Sequence, residues 1–348
     1  MNRVIRVLIV DDSAYVRKVL KQMLSRSPFI EVVGAARDGE EALDLVERLD
    51  PDVVTLDLIM PRMDGLSFLR AQMARQPVPV VIVSIASEGG ETALQALDAG
   101  AIDFVQKPTA LATDRVFEIS SELIDKVKAA ASVPRTRLRP APTRELPPVR
   151  AFVREPRARL VDIVVLGIST GGPQALRSMI PQLPADLPVP LAMVLHMPVG
   201  YTELYARRLD EISPLKVVEA SEGDSVQPGV ALLAPAGRHL TFRRRADGTV
   251  VAHLDARPFD SPHRPSVDVL FQSAAEVFHD RVLGVVMTGM GSDGKYGAAW
   301  IKSQGGMVLT EAEETCVVYG MPRSVVEAGF SDRSAPLDQL AETILEVL

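Results

Sequence analysis

The chain has 348 residues, 47% apolar and 24% charged, which excludes disorder throughout and, at roughly 100–200 residues per domain, points to two domains. Its lone cysteine, Cys316, excludes an internal disulfide and a cysteine-rich zinc site, and fits a reducing compartment. The formal net charge of −7 gives no global attraction to nucleic acid, and no apolar run approaches the ~18–20 residues that span a bilayer; Val7–Val10 stops at Asp11 and Asp12, so it is no signal-peptide core.

In chain order, the first half alternates short apolar runs with amphipathic stretches. The runs are Val4–Val10, Glu31–Ala36, Val53–Asp57, Val78–Ser84 and Ile102–Gln106. Each is nearly continuous in apolar character, as a strand buried on both faces requires. Helical patterns lie between them at Ala14–Ser25, Gly39–Arg48, Leu66–Arg75 and Glu91–Ala99, with a last one from Asp114 to Ala131. Five such alternations predict a doubly wound, flavodoxin-like parallel sheet.

In that fold, ligands bind beyond the carboxyl ends of the strands. Asp11 and Asp12 follow the first strand, Asp57 ends the third, Ser84 ends the fourth and Lys107 follows the fifth. Helix capping explains any one strand-end aspartate, but not five such groups at matching strand ends. Three converging carboxylates repel one another unless a hard divalent cation such as Mg²⁺ lies between them. A carboxylate beside Mg²⁺ and a lysine suits nucleophilic attack on a phosphoryl group. These residues, with the run Asp57-Leu-Ile-Met-Pro61-Arg-Met-Asp-Gly65 and the pair Lys107-Pro108, resemble the receiver domain of bacterial response regulators over about residues 3–130. The resemblance implies that Asp57 accepts a phosphoryl group from a histidine kinase. It implies that Asp11, Asp12 and Asp57 hold Mg²⁺, that Ser84 and Lys107 contact the phosphoryl group, and that Phe104 is the aromatic switch residue. Many members carry tyrosine at that position. It also implies a cis Lys107-Pro108 bond.

Composition then changes. Residues 134–159 hold six prolines and eight arginines against two glutamates, a local charge of +6 that leaves about −13 on the rest. Proline removes backbone donors and the apolar residues show no period, so this stretch reads as a linker. Domain limits of 1–130, 131–159 and 160–348 follow. Neutralising the linker arginines is expected to alter basal activity.

A second α/β pattern starts at Val161. Strands are expected at Val161–Gly167, Leu191–His196, Val230–Ala234, Val282–Thr288 and Met307–Thr310, a helix at Pro173–Ile180 and a hairpin arm at Thr249–Leu254. The segment Gly167-Ile-Ser169-Thr170-Gly171-Gly172-Pro173 is strand, turn and helix. A dinucleotide turn fits two of its glycines, but Ser169 stands where the middle glycine belongs and no acid ends a second strand about 20 residues on. An α/β-hydrolase elbow matches the letters but needs its acid before its histidine. A serine nucleophile on another α/β scaffold is the third reading. In both catalytic readings a tight turn exposes the hydroxyl and helix N-terminal N–H groups stabilise an oxyanion.

A serine needs a base. His196 ends an apolar strand, and a glycine-rich turn after Val285-Val-Met-Thr288 carries Asp293. Carboxylate, imidazole and hydroxyl together form a nucleophilic triad; alone, Asp293 reads equally well as the N-cap of the helix that follows it. These segments, with Thr288-Gly-Met290-Gly-Ser-Asp293-Gly294, Ala234-Pro-Ala-Gly-Arg-His239-Leu240, His263-Arg-Pro-Ser266-Val-Asp268 and Val318-Tyr-Gly-Met-Pro322, resemble the catalytic domain of chemotaxis protein-glutamate methylesterases. That family also carries an N-terminal receiver. The resemblance implies a triad of Ser169, His196 and Asp293, with Thr170 and the Met290 N–H at the catalytic centre. Ser292 replaces an asparagine common in the family, and Lys295 a small residue.

Other features read as structural. Ser266 is expected to N-cap a helix from Val267 to Phe278, with Asp268 in its first turn. His263 lines the site mouth, and Cys316 packs in a strand. The expected protein is a cytoplasmic, monomeric, phosphorylation-activated esterase and glutaminase without a cofactor for the ester chemistry. Its partners are a histidine kinase and methyl-accepting receptors, with no membrane insertion. Service of a non-chemotaxis pathway is the alternative. DNA binding is disfavoured, because no basic helix-turn-helix follows the receiver.

Overall fold

In a computed structural model, the structure describes residues 3–84, 86–107, 113–135, 138, 160–258 and 260–348. Two compact units divide the chain, Met1–Pro142 and Thr143–Leu348.

The first unit runs β1 (Ile5–Val10), α1 (Ala14–Leu24), β2 (Ile30–Ala36), α2 (Gly39–Leu49), β3 (Val53–Leu56), α3 (Gly65–Arg75), β4 (Val80–Ser84), α4 (Ala86–Asp98), β5 (Asp103–Gln106) and α5 (Thr113–Ala131). Among the described residues, the strands form one parallel sheet in the order β2-β1-β3-β4-β5. Val7–Val10, Val53–Leu56 and Val80–Val83 are essentially buried, which is why their sequence reads as unbroken apolar runs rather than alternation. Short polar side chains start the helices: Ser13, Asp38 and Asp64 accept N–H bonds from Val16, Glu41 and Ser67 at 3.4, 3.0 and 2.7 Å. α4 begins five residues before the expected Glu91, because Gly89 and Gly90 weaken the helical signal there. The expected cis bond at Pro108 lies outside the described residues.

The proline- and arginine-rich stretch opens on this unit. Arg135 donates to Asp50 Oδ1 and the Pro51 carbonyl, both at 2.8 Å, and Leu138 is buried. Residues 139–159, most of the expected linker, lie outside the described residues.

The second unit continues with β6 (Ile163–Ile168), α6 (Gly172–Met179), β7 (Leu191–Leu195), α7 (Thr202–Ile212), β8 (Lys216–Glu219), β9 (Val230–Leu233), β10 (His239–Arg244), β11 (Val250–Asp255) and α8 (Val267–Phe278). It closes with β12 (Val282–Val286), α9 (Lys295–Ser303), β13 (Met307–Glu311), α10 (Met321–Glu327), β14 (Arg333–Ala335) and α11 (Leu337–Val347). A parallel sheet has the order β14-β13-β12-β6-β7-β9-β8, and β10-β11 is a separate antiparallel hairpin. The chain starts in the middle at β6, builds outward through β7, then returns to the other side at β12. The order therefore reverses between β6 and β12, and a crevice opens beyond their carboxyl ends.

One glycine explains how closely α8 sits on the sheet. A Cβ on Gly167 would come within 2.2 Å of Val267 Cγ1, so only glycine lets the first turn of α8 rest on β6. Phe271, Leu270, Ile301 and Val286 fill the core around that contact. Cys316 departs from expectation: it is buried, but in a turn after β13 rather than in a strand, with its Sγ 3.8 Å from the Glu311 carbonyl. Among the described residues no helix is long and apolar enough to cross a membrane.

Candidate active site

In the first unit the strand-end residues converge as expected. Carboxylate oxygens of Asp11, Asp12 and Asp57 all lie within 4.8 Å of one another. Lys107 Nζ lies 2.7 Å from both Asp11 Oδ2 and Asp57 Oδ2, and its backbone N–H donates to the Ser84 carbonyl at 2.8 Å. Asp11 and Asp57 are buried and Asp12 is exposed. Burial pushes the Asp57 carboxyl above its ordinary range; Lys107 offsets part of that and the Asp11 charge adds to it. Burial alone would lower the Lys107 ammonium, but its two carboxylates raise it. Three carboxylates against one lysine leave a cluster of excess negative charge with exposed oxygen on one side, a donor set suited to Mg²⁺. The loop after β3 is pressed onto this cluster: a Cβ on Gly65 would stand 2.1 Å from the Asp57 carbonyl. Ser84 is buried at the end of β4, and Phe104 is buried in β5.

In the second unit Ser169 follows β6 on the rim of the crevice. Its N–H donates to the Thr288 carbonyl at 3.0 Å, which ties the turn after β6 to the turn after β12. Gly171 holds φ +80° and begins α6, a conformation that glycine adopts without strain. A Cβ on Gly289 would stand 2.8 Å from Ser169 Cβ, so the chain just before Met290 passes directly against the serine. His196 follows β7, with its N–H on the Ile168 carbonyl at 3.2 Å, one residue before Ser169. Its Nε2 lies 2.9 Å from Asp293 Oδ2. Its Nδ1 is buried and bonds to no described residue. The His263 ring stacks on the His196 ring with centroids 4.2 Å apart. Thr170 is buried, and its carbonyl accepts from Thr288 Oγ1 at 3.0 Å.

Asp293 does more than face the histidine. Its Oδ2 also accepts the Val267 N–H at 2.8 Å, and its Oδ1 the Asp268 N–H at 3.0 Å. It therefore caps α8, far back in sequence; toward the helix that follows it, Oδ1 reaches only the N–H of Gly294, the residue before α9, at 3.1 Å. Asp268 returns the arrangement: its Oδ1 accepts the N–H groups of Gly294, just before α9, and of Gly297 in its first turn at 2.9 and 2.7 Å. Burial alone would raise the Asp293 carboxyl, but His196 and these helix N–H groups hold it well below the usual carboxylate range. Asp268 is pushed up to about 6 by burial and by the neighbouring Asp293 charge. Ser266 is the residue before α8, but its hydroxyl does not cap the helix; it bonds Asp293 instead, at 2.9 Å.

Known families match both halves of the chain. The model described as "CheB methylesterase" matches residues 164–344, and that of the response regulator receiver domain matches residues 7–115. A protein-glutamate methylesterase/protein-glutamine glutaminase of Myxococcus xanthus is 52% identical over 96% of this chain and 95% of its own. The chain belongs to the CheB methylesterase family. A Pyrococcus horikoshii relative with the corresponding name is 43% identical over 100% of this chain and 95% of its own. Among solved structures, the Thermotoga maritima CheB methylesterase catalytic domain is similar at TM-score 0.53 and 42% identity, covering 54% of this chain and 99% of that one.

For a member of this family, the residue that sequence reasoning missed is Glu311. It ends β13, is wholly buried, and its Oε2 accepts the Thr288 N–H at 2.9 Å. Thr288 in turn holds the turn that carries Ser169 through its carbonyl and hydroxyl. A glutamate closing an apolar run, Met307-Val-Leu-Thr310, was the available signal. Burial raises the Glu311 carboxyl above its ordinary range, partly offset by the Thr288 N–H. A carboxyl raised in the folded state binds its proton more tightly there than in the unfolded chain. Its stabilising contribution is therefore complete below the ordinary glutamate pKa and lost as pH rises through the folded value. We expect the urea midpoint, followed by the fluorescence of Trp300, the chain's single tryptophan, to fall over that interval. Glu311→Gln should flatten the fall. An equal slope in both proteins would refute the assignment.

Proposed function

We propose that this chain is a phosphorylation-activated serine esterase that hydrolyses glutamyl γ-methyl esters on chemoreceptors and deamidates particular receptor glutamines. The observation that carries this reading is the His196 imidazole, held at Nε2 by Asp293 with Nδ1 free to act beside the Ser169 turn. Nδ1 takes the Ser169 Oγ proton as the oxygen attacks the ester carbonyl. Asp293, kept ionised by the helix N–H groups around it, stabilises the imidazolium. The Met290 N–H faces the developing oxyanion, with Thr170 beside it. Collapse of the tetrahedral intermediate expels methanol, which takes the proton from His196. Water, deprotonated by the same nitrogen, then releases the glutamate carboxylate and restores Ser169. Deamidation follows the same course with ammonia leaving.

In the receiver, the Asp57 carboxylate attacks the phosphorus of a phosphohistidine on the kinase, and the histidine leaves. Asp11, Asp12 and Asp57 would hold Mg²⁺, which neutralises charge on the phosphoryl oxygens when bound. Lys107 supplies a second positive charge, Ser84 a hydroxyl, and Phe104 the switch. We assign residues 1–130 to the receiver and 160–348 to the esterase, acting as a monomer. A single cysteine and no cysteine-rich metal set suit the cytoplasm.

The test is methanol release from methylated receptor membranes, with and without acetyl phosphate. The reading requires release that rises with the phosphodonor. No release in either condition would overturn the esterase, and release indifferent to the phosphodonor would overturn its regulation.

A further inference from the structure

The Asp293 carboxylate is held at Oδ1 by buried Ser266, and Ser266 by buried His239, two residues that the reaction itself does not use. Ser266 is 3% exposed and His239 is fully buried. Ser266 Oγ donates to Asp293 Oδ1 at 2.9 Å. The Ser266 N–H lies 3.2 Å from His239 Nδ1, and His239 Nε2 lies 3.3 Å from the Pro258 carbonyl.

Donor and acceptor chemistry fixes the direction of every bond in this chain. A carbonyl only accepts, so His239 carries its proton on Nε2. A backbone N–H only donates, so Nδ1 offers its lone pair. One neutral tautomer satisfies both contacts, and burial, which lowers the His239 pKa, favours that neutral form. Ser266 is then pinned through its backbone. An ionised carboxylate accepts only, so the Ser266 hydroxyl proton must point at Asp293.

We propose that Ser266 and His239 are positioning residues of the esterase, a buried bracket that sets the plane of the Asp293 carboxylate and so the aim of His196. The inference rests on the esterase reading. Backbone donors already reach both oxygens, with the Val267 N–H on Oδ2 at 2.8 Å and the Asp268 and Gly294 N–H groups on Oδ1 at 3.0 and 3.1 Å, and the Ser266 hydroxyl adds a side-chain donor to Oδ1. Ser266 supplies the one hydroxyl among the described residues that bonds Oδ1, leaving Oδ2 to face His196. A helix N-cap serine would otherwise bond its own helix. Here that task has passed to Asp293, and the serine is released to orient it.

The experiment measures kcat and KM for methanol release from methylated receptor membranes by the full chain with acetyl phosphate present. Ser266→Ala is expected to lower kcat about tenfold with KM unchanged, as loss of one charge-assisted hydrogen bond to a catalytic carboxylate should. Ser266→Thr, which keeps the hydroxyl, should recover most of that loss. His239→Asn places an acceptor where Nδ1 stood and should stay within about twofold of the parent, whereas His239→Ala should match Ser266→Ala. The double variant Ser266→Ala/His239→Ala should fall no further than either single one, since both act through one bond. If Ser266→Ala does not fold by Trp300 fluorescence, the near-isosteric Ser266→Cys, a weaker donor, carries the comparison. A kcat within twofold of the parent for the folded variant overturns the bracket. So does a loss that Ser266→Thr fails to recover, or one confined to KM. A parent chain that releases no methanol overturns the esterase reading and the bracket with it, whereas an active parent with an indifferent Ser266→Ala overturns the bracket alone.

Discussion

Ser169→Ala is expected to fold like the parent and to lose methanol release by a factor on the order of 10⁴ or more. Structure and chemistry separate cleanly at this residue. The Ser169 backbone holds the turn through its N–H on Thr288 and its carbonyl on Gly172, and alanine keeps both bonds. What it removes is the oxygen proposed to attack the ester. Thr170 cannot stand in, because it is buried and its own carbonyl is engaged by Thr288. The urea midpoint should therefore stay within a few tenths of a molar unit of the parent, about what an uncoupled exposed-site change gives. Retained methanol release by a folded Ser169→Ala would remove the serine from the mechanism. Asp293→Ala makes an instructive contrast. It should lose activity and also stability, because the same carboxylate caps α8.

Asp57→Ala is expected to abolish the rise in methanol release caused by acetyl phosphate while leaving the unstimulated rate near that of the parent. Lys107 is shared between Asp11 and Asp57 at equal distances of 2.7 Å, and Asp12 adds a third carboxylate to the cluster. Removing Asp57 relieves like-charge repulsion and leaves Lys107 paired with Asp11. The unit should thus be no less stable without it, and any loss of response reflects lost phosphoryl acceptance rather than unfolding. Chelating Mg²⁺ should reproduce the loss in the parent, since the acidic cluster is then without its counter-charge. A stimulated-to-basal ratio unchanged in Asp57→Ala would move the phosphoryl acceptor elsewhere.

The receiver half was the more legible in sequence. Strands buried on both faces leave unbroken runs such as Val80–Ser84, and short polar caps such as Asp38 and Asp64 announce the next helix. The second unit gave up its central strands β6, β7 and β12 for the same reason. It concealed β8 and β14, which are three- or four-residue edge strands with half of their side chains in water; an edge needs neither length nor apolar continuity. At the site, the proximity of His196 and Asp293 followed from their motifs. The exchange of caps did not, because Asp293 and Asp268 each serve a helix about 25 residues away. Local reading gave Ser266 the cap of α8 because a serine before a helix normally takes it; a stronger, ionised acceptor from another loop won that position. Glu311 was marked only by closing an apolar run, a signal that does not tell a buried carboxyl from an exposed one at a strand end.

That exchange of caps has a consequence for motion. The first turns of α8 and α9 each close on a carboxylate borrowed from the other, so neither can fray alone without stripping the partner's N-terminus. The amides of Val267, Asp268, Gly294 and Gly297 should then exchange with deuterium as one cooperative group, at a common opening free energy, although they lie at the starts of two separate helices. Because one of the borrowed carboxylates also faces His196, every such opening takes away the partner of the proposed base for its duration. The stiffness of two helix ends and the readiness of the enzyme are, in this molecule, a single quantity.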